Sequence, residues 1–370
     1  MSPVRVLIMA GGTGGHVYPA LAVAARLRSE GAQVAWLGST RGLEAQRVPA
    51  AGYAFHPIAV RGLRGKGLGG WLLAPVRIAL GAWAAAKILR RVRPQVVLGM
   101  GGYVSGPGAL VAWLLRCPLV IHEQNAIAGL TNRILSHLAN QVLEAFPGSF
   151  PAAFGAVHTG NPLREDIVSL PPPRQRLAGR RGPLRLLVLG GSQGARFLNG
   201  LVPAALAALA DPESCVVRHQ AGVSQLAAAR QAYRAENLAV EPVAYIEAMA
   251  EHYAWADLVL CRAGAMTIAE LAAAGVAAIV VPLPQAVDDH QSANGRYLSE
   301  TGAALLIPQA ELNPGRLARL LEEFSQARER LLRMAEQARA LAVPDADRKV
   351  AGFCLKWAGM ALSRPELPHA

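Results

Sequence analysis

Cysteine is scarce in this chain, and the four present, Cys117, Cys215, Cys261 and Cys354, stand far apart with no CxxC pair. That spacing excludes a zinc ribbon and a disulfide framework, and it points to a reducing compartment. Aromatic residues make up only 5% of the chain and do not interleave with a basic run, so a stacking platform for nucleic acid is not expected. Charged residues are held to 17%, and the aliphatic and alanine content is too high for a disordered chain. No basic, apolar leader precedes the strand pattern at residues 4–9, so secretion is not expected. No Walker lysine follows a glycine loop, and no histidines stand at metal-ligand spacing.

What the chain does have is positive charge. A formal net charge of +12 implies an anionic partner, whether nucleic acid, a membrane surface or a phosphorylated substrate. The few aromatics place nucleic acid last. At 370 residues the chain is too long for one ordinary core and suits two α/β domains.

Residues 4–9 read as a buried strand that runs into Gly11, Gly12, Thr13, Gly14 and Gly15, then His16 and a helical pattern from Pro19. A second strand, 34–37, ends in Gly38, Ser39 and Thr40. A dinucleotide site wants an acidic residue there and GxGxxG in the first loop; both are missing, which weighs against a nicotinamide enzyme. Strands at 96–98 and 119–121 lead into the glycine loop 99–107 and the polar run His122, Glu123, Gln124 and Asn125. Open α/β sheets hold their ligands at that edge. A boundary falls in the proline-, glycine- and charge-rich stretch 160–183. Beyond it, a strand at 184–189 and the turn Gly190, Gly191, Ser192, Gln193 and Gly194 repeat the opening of the first half. Further strands are expected at 216–219, 240–243, 258–261 and 278–281, with helices at 109–115, 294–299 and 314–341. A last helix at 350–362 can cross back to the first domain.

Three stretches suggest chemistry. In 257–270 an apolar strand meets Gly264 and a helix opens, turning unpaired N–H groups and the positive end of a dipole towards a phosphate. Glu270, one turn further in, can accept hydrogen bonds from two ribose hydroxyls; the alternative is an ordinary βα turn with a solvated glutamate. His16 stands at a helix mouth, where an imidazole can take a proton near neutral pH, the alternative being a capping or packing role. In 61–93, Arg61, Arg64 and Lys66 precede Leu72, Val76, Leu80 and Trp83 at one-face helical spacing, and Lys87, Arg90, Arg91 and Arg93 follow. Pro75, Arg77 and Lys87 spoil a membrane span, whereas apolar anchors flanked by cations suit an interfacial helix; a core-facing helix is the alternative. Asp345 and Asp347 spell the DxD of metal-dependent sugar transferases. They follow Pro344 in a polar linker far from any strand end, and we expect them at the surface.

The motifs Gly11-Gly-Thr-Gly-Gly-His16, Gly101-Gly-Tyr103, His122-Glu-Gln-Asn125, Gly160-Asn-Pro162, Gly190-Gly-Ser-Gln-Gly194 and Cys261-Arg-Ala-Gly-Ala-Met-Thr-Ile-Ala-Glu270 together resemble the MurG family of bacterial transferases. The resemblance implies an α/β protein of the GT-B glycosyltransferase fold, two Rossmann-like domains facing across a cleft. Residues 1–163, completed by a C-terminal helix at about 345–365, would bind acceptor and membrane, and residues 164–344 would bind UDP-GlcNAc. The implied reaction is inverting: GlcNAc moves from UDP-GlcNAc to muramoyl-pentapeptide-diphosphoryl-undecaprenol, forming a β-1,4 linkage in peptidoglycan synthesis. No cofactor and no metal site are expected. The implied location is peripheral, on the cytoplasmic face of the bacterial inner membrane, with an anionic lipid surface and cell-wall and division proteins as further partners.

Carried over by position, the resemblance puts Thr13, Gly14 and Gly15 beside the donor sugar and its phosphates and Asn125 and Gln291 on the GlcNAc. Arg164 and Ser192 would meet the diphosphate or uridine, and Ile246 would lie by the uracil. Ala265, Met266, Thr267, Ile268 and Ala269 would hold phosphate and ribose, with Glu270 on the ribose hydroxyls. His16 and Glu123 are both candidates for the general base, and Tyr103 joins Leu72, Val76, Leu80 and Trp83 on the acceptor and membrane side. The run before Gln291, with Asp289 and His290, departs from the glutamine-rich sequence that the resemblance leads one to expect. The rival readings are a diacylglycerol glycosyltransferase differing at 99–107, a UDP-GlcNAc 2-epimerase of similar shape, and a non-catalytic docking protein of the division machinery.

Overall fold

The structure is a computed structural model and describes residues 3–59, 74–191, 194–284 and 289–359. It divides into two compact units, Met1–Leu163 with Pro344–Ala370, and Arg164–Val343.

In the first unit the strands are β1 (Arg5–Met9), β2 (Gln33–Ser39), β3 (Ala54–Ile58), β4 (Val96–Gly99), β5 (Leu119–Glu123), β6 (Gln141–Glu144) and β7 (Val157–His158). They pair in the order β3-β2-β1-β4-β5-β6-β7, all parallel. A parallel sheet needs both faces covered, which is why the inner strands β1, β4 and β5 read as apolar runs. Val6 and Ile8 pack on one face with Val17, Val23 and Leu27 of the helix Gly14–Ser29 and with Val350, Cys354 and Leu355 of the helix Ala346–Trp357. Leu7 and Met9 point the other way, towards Ala85 and Leu89 of the helix Ala74–Val92 and Ala109 and Ala112 of the helix Ser105–Leu114. Asp345 and Asp347 bind the C-terminal helix in place. Asp345 stands at its N-cap and pairs with Lys349 at 3.0 Å, and Asp347 accepts from Arg26 Nε at 2.9 Å.

The second unit contains β8 (Leu184–Leu189), β9 (Cys215–Gln220), β10 (Leu258–Cys261), β11 (Ala277–Val280) and β12 (Ala304–Leu306), parallel and ordered β12-β11-β10-β8-β9. Asp257, buried at the entry to β10, accepts from Arg180 at 2.8 Å, from Arg328 at 2.6 Å and from the Arg185 N–H at 3.1 Å. Asp257→Ala strands two half-buried guanidinium groups. We expect a loss of about 3 kcal/mol, read from urea unfolding at unchanged slope.

Several elements differ from the sequence reading. Residues 240–243 make only one bridge, Val243 to Gln220, because Pro242 has no N–H to offer a ladder. The single helix expected at 314–341 is two, Pro314–Gln326 and Arg328–Ala340, broken where Ala327 leaves helical geometry at φ −101° and ψ 55°. The last helix runs Ala346–Trp357, and the helix expected at 294–299 starts earlier, at His290. The sheet-edge strands β3, β7 and β12, and β6 beside β7, carried too little apolar alternation to be read beforehand.

Candidate active site

In each sheet the strand order reverses once, between β1 and β4 in the first unit and between β8 and β10 in the second. Connections leave in opposite directions there, and a crevice opens at the carboxyl ends of the strands. All four glycine-containing turns singled out in the sequence follow these four strands.

In the first unit the two turns lie against each other. A Cβ on Gly102 would fall 2.2 Å from the Gly11 carbonyl oxygen, and Gly102 has φ +86°, so only glycine fits there. Ser105 Oγ donates to Met9 O at 3.0 Å and to Gly101 O at 2.8 Å, tying the two loops together. The first turn is further held by Glu44, whose buried carboxylate accepts from Gly12 N at 3.0 Å, Ser39 N at 2.9 Å and Ser39 Oγ at 2.6 Å. Thr13 is the N-cap of Gly14–Ser29 but makes no side-chain cap, so Gly14 and Gly15 open that helix without a capping side chain. His16 lies in the first turn with Nδ1 2.8 Å from Gln124 Oε1.

Beyond β5 the polar run is mostly buried. Gln124 Nε2 reaches His122 Nδ1 at 3.0 Å and His122 O at 3.2 Å, and His122 Nε2 reaches Gly160 O at 3.0 Å. Burial pushes the His122 imidazole down to about 4, so the ring is neutral. Glu123 accepts from Asn125 N, Asn125 Nδ2, Gly129 N and Asn132 Nδ2, at 2.8–3.1 Å. Both carboxylate oxygens of Glu123 are engaged by these local donors, which weighs against it as the general base. Its work is to shape the loop carrying Asn125. Tyr103 is exposed on the loop after β4.

In the second unit Gly264 is the N-cap of the helix Ala265–Ala274, again without a capping side chain, so Ala265, Met266 and Thr267 open the helix and Ile268 closes onto Gly264 O at 3.0 Å. Ala269 and Glu270 follow on the next turn. Glu270 Oε2 accepts from Tyr253 Oη at 2.8 Å. Burial raises the Glu270 carboxyl to about 7, against the Tyr253 hydrogen bond and the nearby Arg164, while Asp166 adds to the rise. Arg164 donates to Glu247 O at 3.0 Å and pairs with Asp166. Ile246 is buried, and its N–H donates to Gln220 Oε1 at 2.9 Å at the end of β9. Gln291, in the first turn of His290–Ser299, accepts from Leu283 N at 2.9 Å. Ser192 lies outside the described residues.

Of the residues expected on the membrane side, Val76, Leu80 and Trp83 fall on one helix, Ala74–Val92. Val76, Leu80 and Trp83 are 56%, 61% and 62% exposed, while Gly81, Ala85 and Leu89 face the core. The core-facing alternative is thereby corrected: Val76, Leu80 and Trp83 point outward, and Gly81, Ala85 and Leu89 bury the helix. Lys87 lies 3.4 Å over the Trp83 ring. The helix Ser105–Leu114 packs beside it and exposes Trp113 and Leu114. Leu72, Arg61, Arg64 and Lys66 lie outside the described residues.

Glu44 and Tyr253 escaped the sequence reading. Each sits on an element remote in sequence from the loop or helix it serves, and nothing local marks it. Gln124 was visible in the polar run. Its spacing of two from His122 puts both on one side of the strand end, a signal that would have paired them.

Residues 6–144 match the glycosyltransferase family 28 N-terminal domain and residues 185–350 the glycosyltransferase family 28 C-terminal domain. Two doubly wound units that match these domains define a glycosyltransferase of the GT-B class. The relative named UDP-N-acetylglucosamine--N-acetylmuramyl-(pentapeptide) pyrophosphoryl-undecaprenol N-acetylglucosamine transferase in Alkalilimnicola ehrlichii is 57% identical over 351 residues, covering 95% of this chain and 98% of the relative. Its namesake in Nitrosococcus oceani is 55% identical over 353 residues, with 95% and 98% covered. The crystal structure of Acinetobacter baumannii MurG superposes with a TM-score of 0.80 at 40% identity, over 96% of this chain and 100% of that one. A UDP-GlcNAc 2-epimerase from Neisseria meningitidis shares the fold alone, with a TM-score of 0.66 at 12% identity over 95% and 100% of the two chains. The chain belongs to the MurG family.

Proposed function

We propose that this protein moves GlcNAc from UDP-GlcNAc to an N-acetylmuramyl-pentapeptide carried on pyrophosphoryl-undecaprenol, with inversion at the donor's anomeric carbon. The observation that carries this reading is the identity of more than half the residues along 95% of the chain to transferases so named. The acceptor hydroxyl oxygen attacks the anomeric carbon, its proton passes to His16, and the bond to the β-phosphate oxygen breaks with its electron pair leaving on UDP. The helix Ala265–Ala274 presents first-turn amides that suit the diphosphate charge, and Glu270 suits the ribose hydroxyls. Thr13, Gly14, Gly15, Asn125 and Gln291 would border the sugar, Arg164 and Ser192 the diphosphate or uridine, and Ile246 the uracil. In this reading helix termini do the work a divalent cation does elsewhere.

Labelled UDP-GlcNAc offered with the polyprenyl-linked acceptor, with diacylglycerol, or alone separates the rivals. Transfer to the first acceptor only, undiminished by EDTA, is expected. Transfer to diacylglycerol, or loss of activity with chelator, overturns the reading, and UDP release without acceptor favours an epimerase.

The same reading seats the protein peripherally on the cytoplasmic face of the inner membrane. No helix among the described residues is long and apolar enough to cross a membrane. The exposed Val76, Leu80 and Trp83, with Lys87 and Arg90 on the same helix, suit an interface with anionic lipid. Leu80→Glu with Trp83→Glu should weaken sedimentation with phosphatidylglycerol vesicles about 10-fold or more while UDP binding stays unchanged. Loss of UDP binding in that variant would mean that the helix serves the fold instead.

A further inference from the structure

We propose that Gln124, itself oriented by His122, is a positioning residue that locks His16 in the tautomer with the proton on Nδ1 and a free lone pair on Nε2. The inference rests on the reading of His16 as general base and deepens it.

The Gly160 carbonyl oxygen can only accept, so His122 Nε2, 3.0 Å away, carries a proton and donates it. A neutral ring has one N–H, which leaves His122 Nδ1 an acceptor. Gln124 Nε2 meets that requirement at 3.0 Å and gives its second proton to His122 O, also an obligate acceptor, at 3.2 Å. Two independent acceptors therefore set the same amide orientation. Flipping the amide would put its oxygen against two acceptors and force a buried imidazolium, which burial strongly disfavours. With Nε2 committed, Gln124 turns Oε1 to His16 Nδ1 at 2.8 Å, and an amide oxygen accepts only. His16 must donate from Nδ1, so its basic nitrogen is Nε2.

Gly101 enforces the same geometry from another side. A Cβ there would lie 2.8 Å from His16 Nδ1 and 2.9 Å from Cε1, so the loop backbone packs directly against the ring. Gln124 is buried and has no need to touch substrate. It acts through His16, much as the third member of a catalytic triad acts through its histidine.

The decisive measurement is a nitrogen-15 spectrum of the free, full-length protein with labelled histidines, the His16 signals identified by their absence in His16→Asn. Nδ1 protonated and Nε2 unprotonated is the expected result; the reverse overturns the proposal. In Gln124→Met, similar in size but unable to fix the proton, the ring should shift towards the Nε2–H form. There kcat should fall about 10²-fold while KM for UDP-GlcNAc holds. An unchanged tautomer and kcat in Gln124→Met would overturn the proposal. The spectra are read without substrate, so they stand even if His16→Ala retained activity and the base assignment fell.

Discussion

His16→Ala is expected to lower kcat by about 10²- to 10⁴-fold, the range a positioned general base contributes, with little change in UDP affinity. The acceptor hydroxyl is too weak a nucleophile unless its proton leaves as the new bond forms. In the first unit His16 is the imidazole held at the mouth of the helix Gly14–Ser29, between the glycine loop after β1 and the Gly101 turn after β4. Glu123, the other candidate, is spent on four local donors. Glu123→Gln should therefore act by loosening the Asn125 loop, and its pH profile should match that of the parent. Single-turnover transfer and UDP titration calorimetry separate the two effects; full activity in His16→Ala would remove the histidine from the chemistry.

The second large effect belongs to Glu270. Glu270→Ala should weaken UDP binding by roughly 10- to 100-fold, because hydrogen bonds to a charged group contribute about 1.5–3 kcal/mol. The effect should fall on KM for the donor more than on kcat. A pH signature accompanies it. Burial raises this carboxyl to about 7, so in the free protein Glu270 is partly protonated near neutrality. On the proposed reading two ribose hydroxyls donate to the charged form, so binding should expel the proton. Affinity for UDP should thus tighten as pH rises from about 5 to 7 and level off above, with proton release detectable as a buffer-dependent binding enthalpy. For stability the sign is opposite. A folded value raised above the ordinary 4.5 means that the contribution of this group is full at low pH and lost as pH climbs through about 7. Tyr253→Phe removes the donor to Glu270 Oε2, raises the carboxyl further and should move the affinity curve to higher pH. Affinity independent of pH from 5 to 8 would count against a carboxylate at the ribose.

The largest departures between sequence and structure lie where long-range packing decides. The core strands β1, β4, β5, β8, β10 and β11 were legible because a strand buried on both faces must be apolar throughout. The short edge strands β3, β7 and β12 were not, since an edge strand is defined by the neighbour it finds. The face of the helix Ala74–Val92 shows the same limit. Its pattern marked Val76, Leu80 and Trp83 as one stripe, but either face of such a helix could have met the sheet. Gly81, Ala85 and Leu89 are the buried face; the helix packs beside Ser105–Leu114, and the small Gly81 and Ala85 permit a close approach.

By itself the sequence determined two α/β halves, the glycine turns that follow the inner strands, and the residue types fit for proton transfer and ribose contact. Those follow from local rules: periodicity, backbone freedom and the orphan amides of a helix start. Only the tertiary structure decided that Glu123 is held by four local donors, that Glu44 holds the first glycine turn, and that Gly160, His122, Gln124 and His16 share one line of hydrogen bonds. The reason is that the proton-accepting nitrogen of a histidine depends on what its other nitrogen meets, and here that partner is Gln124, just past the end of β5 and more than a hundred residues along the chain.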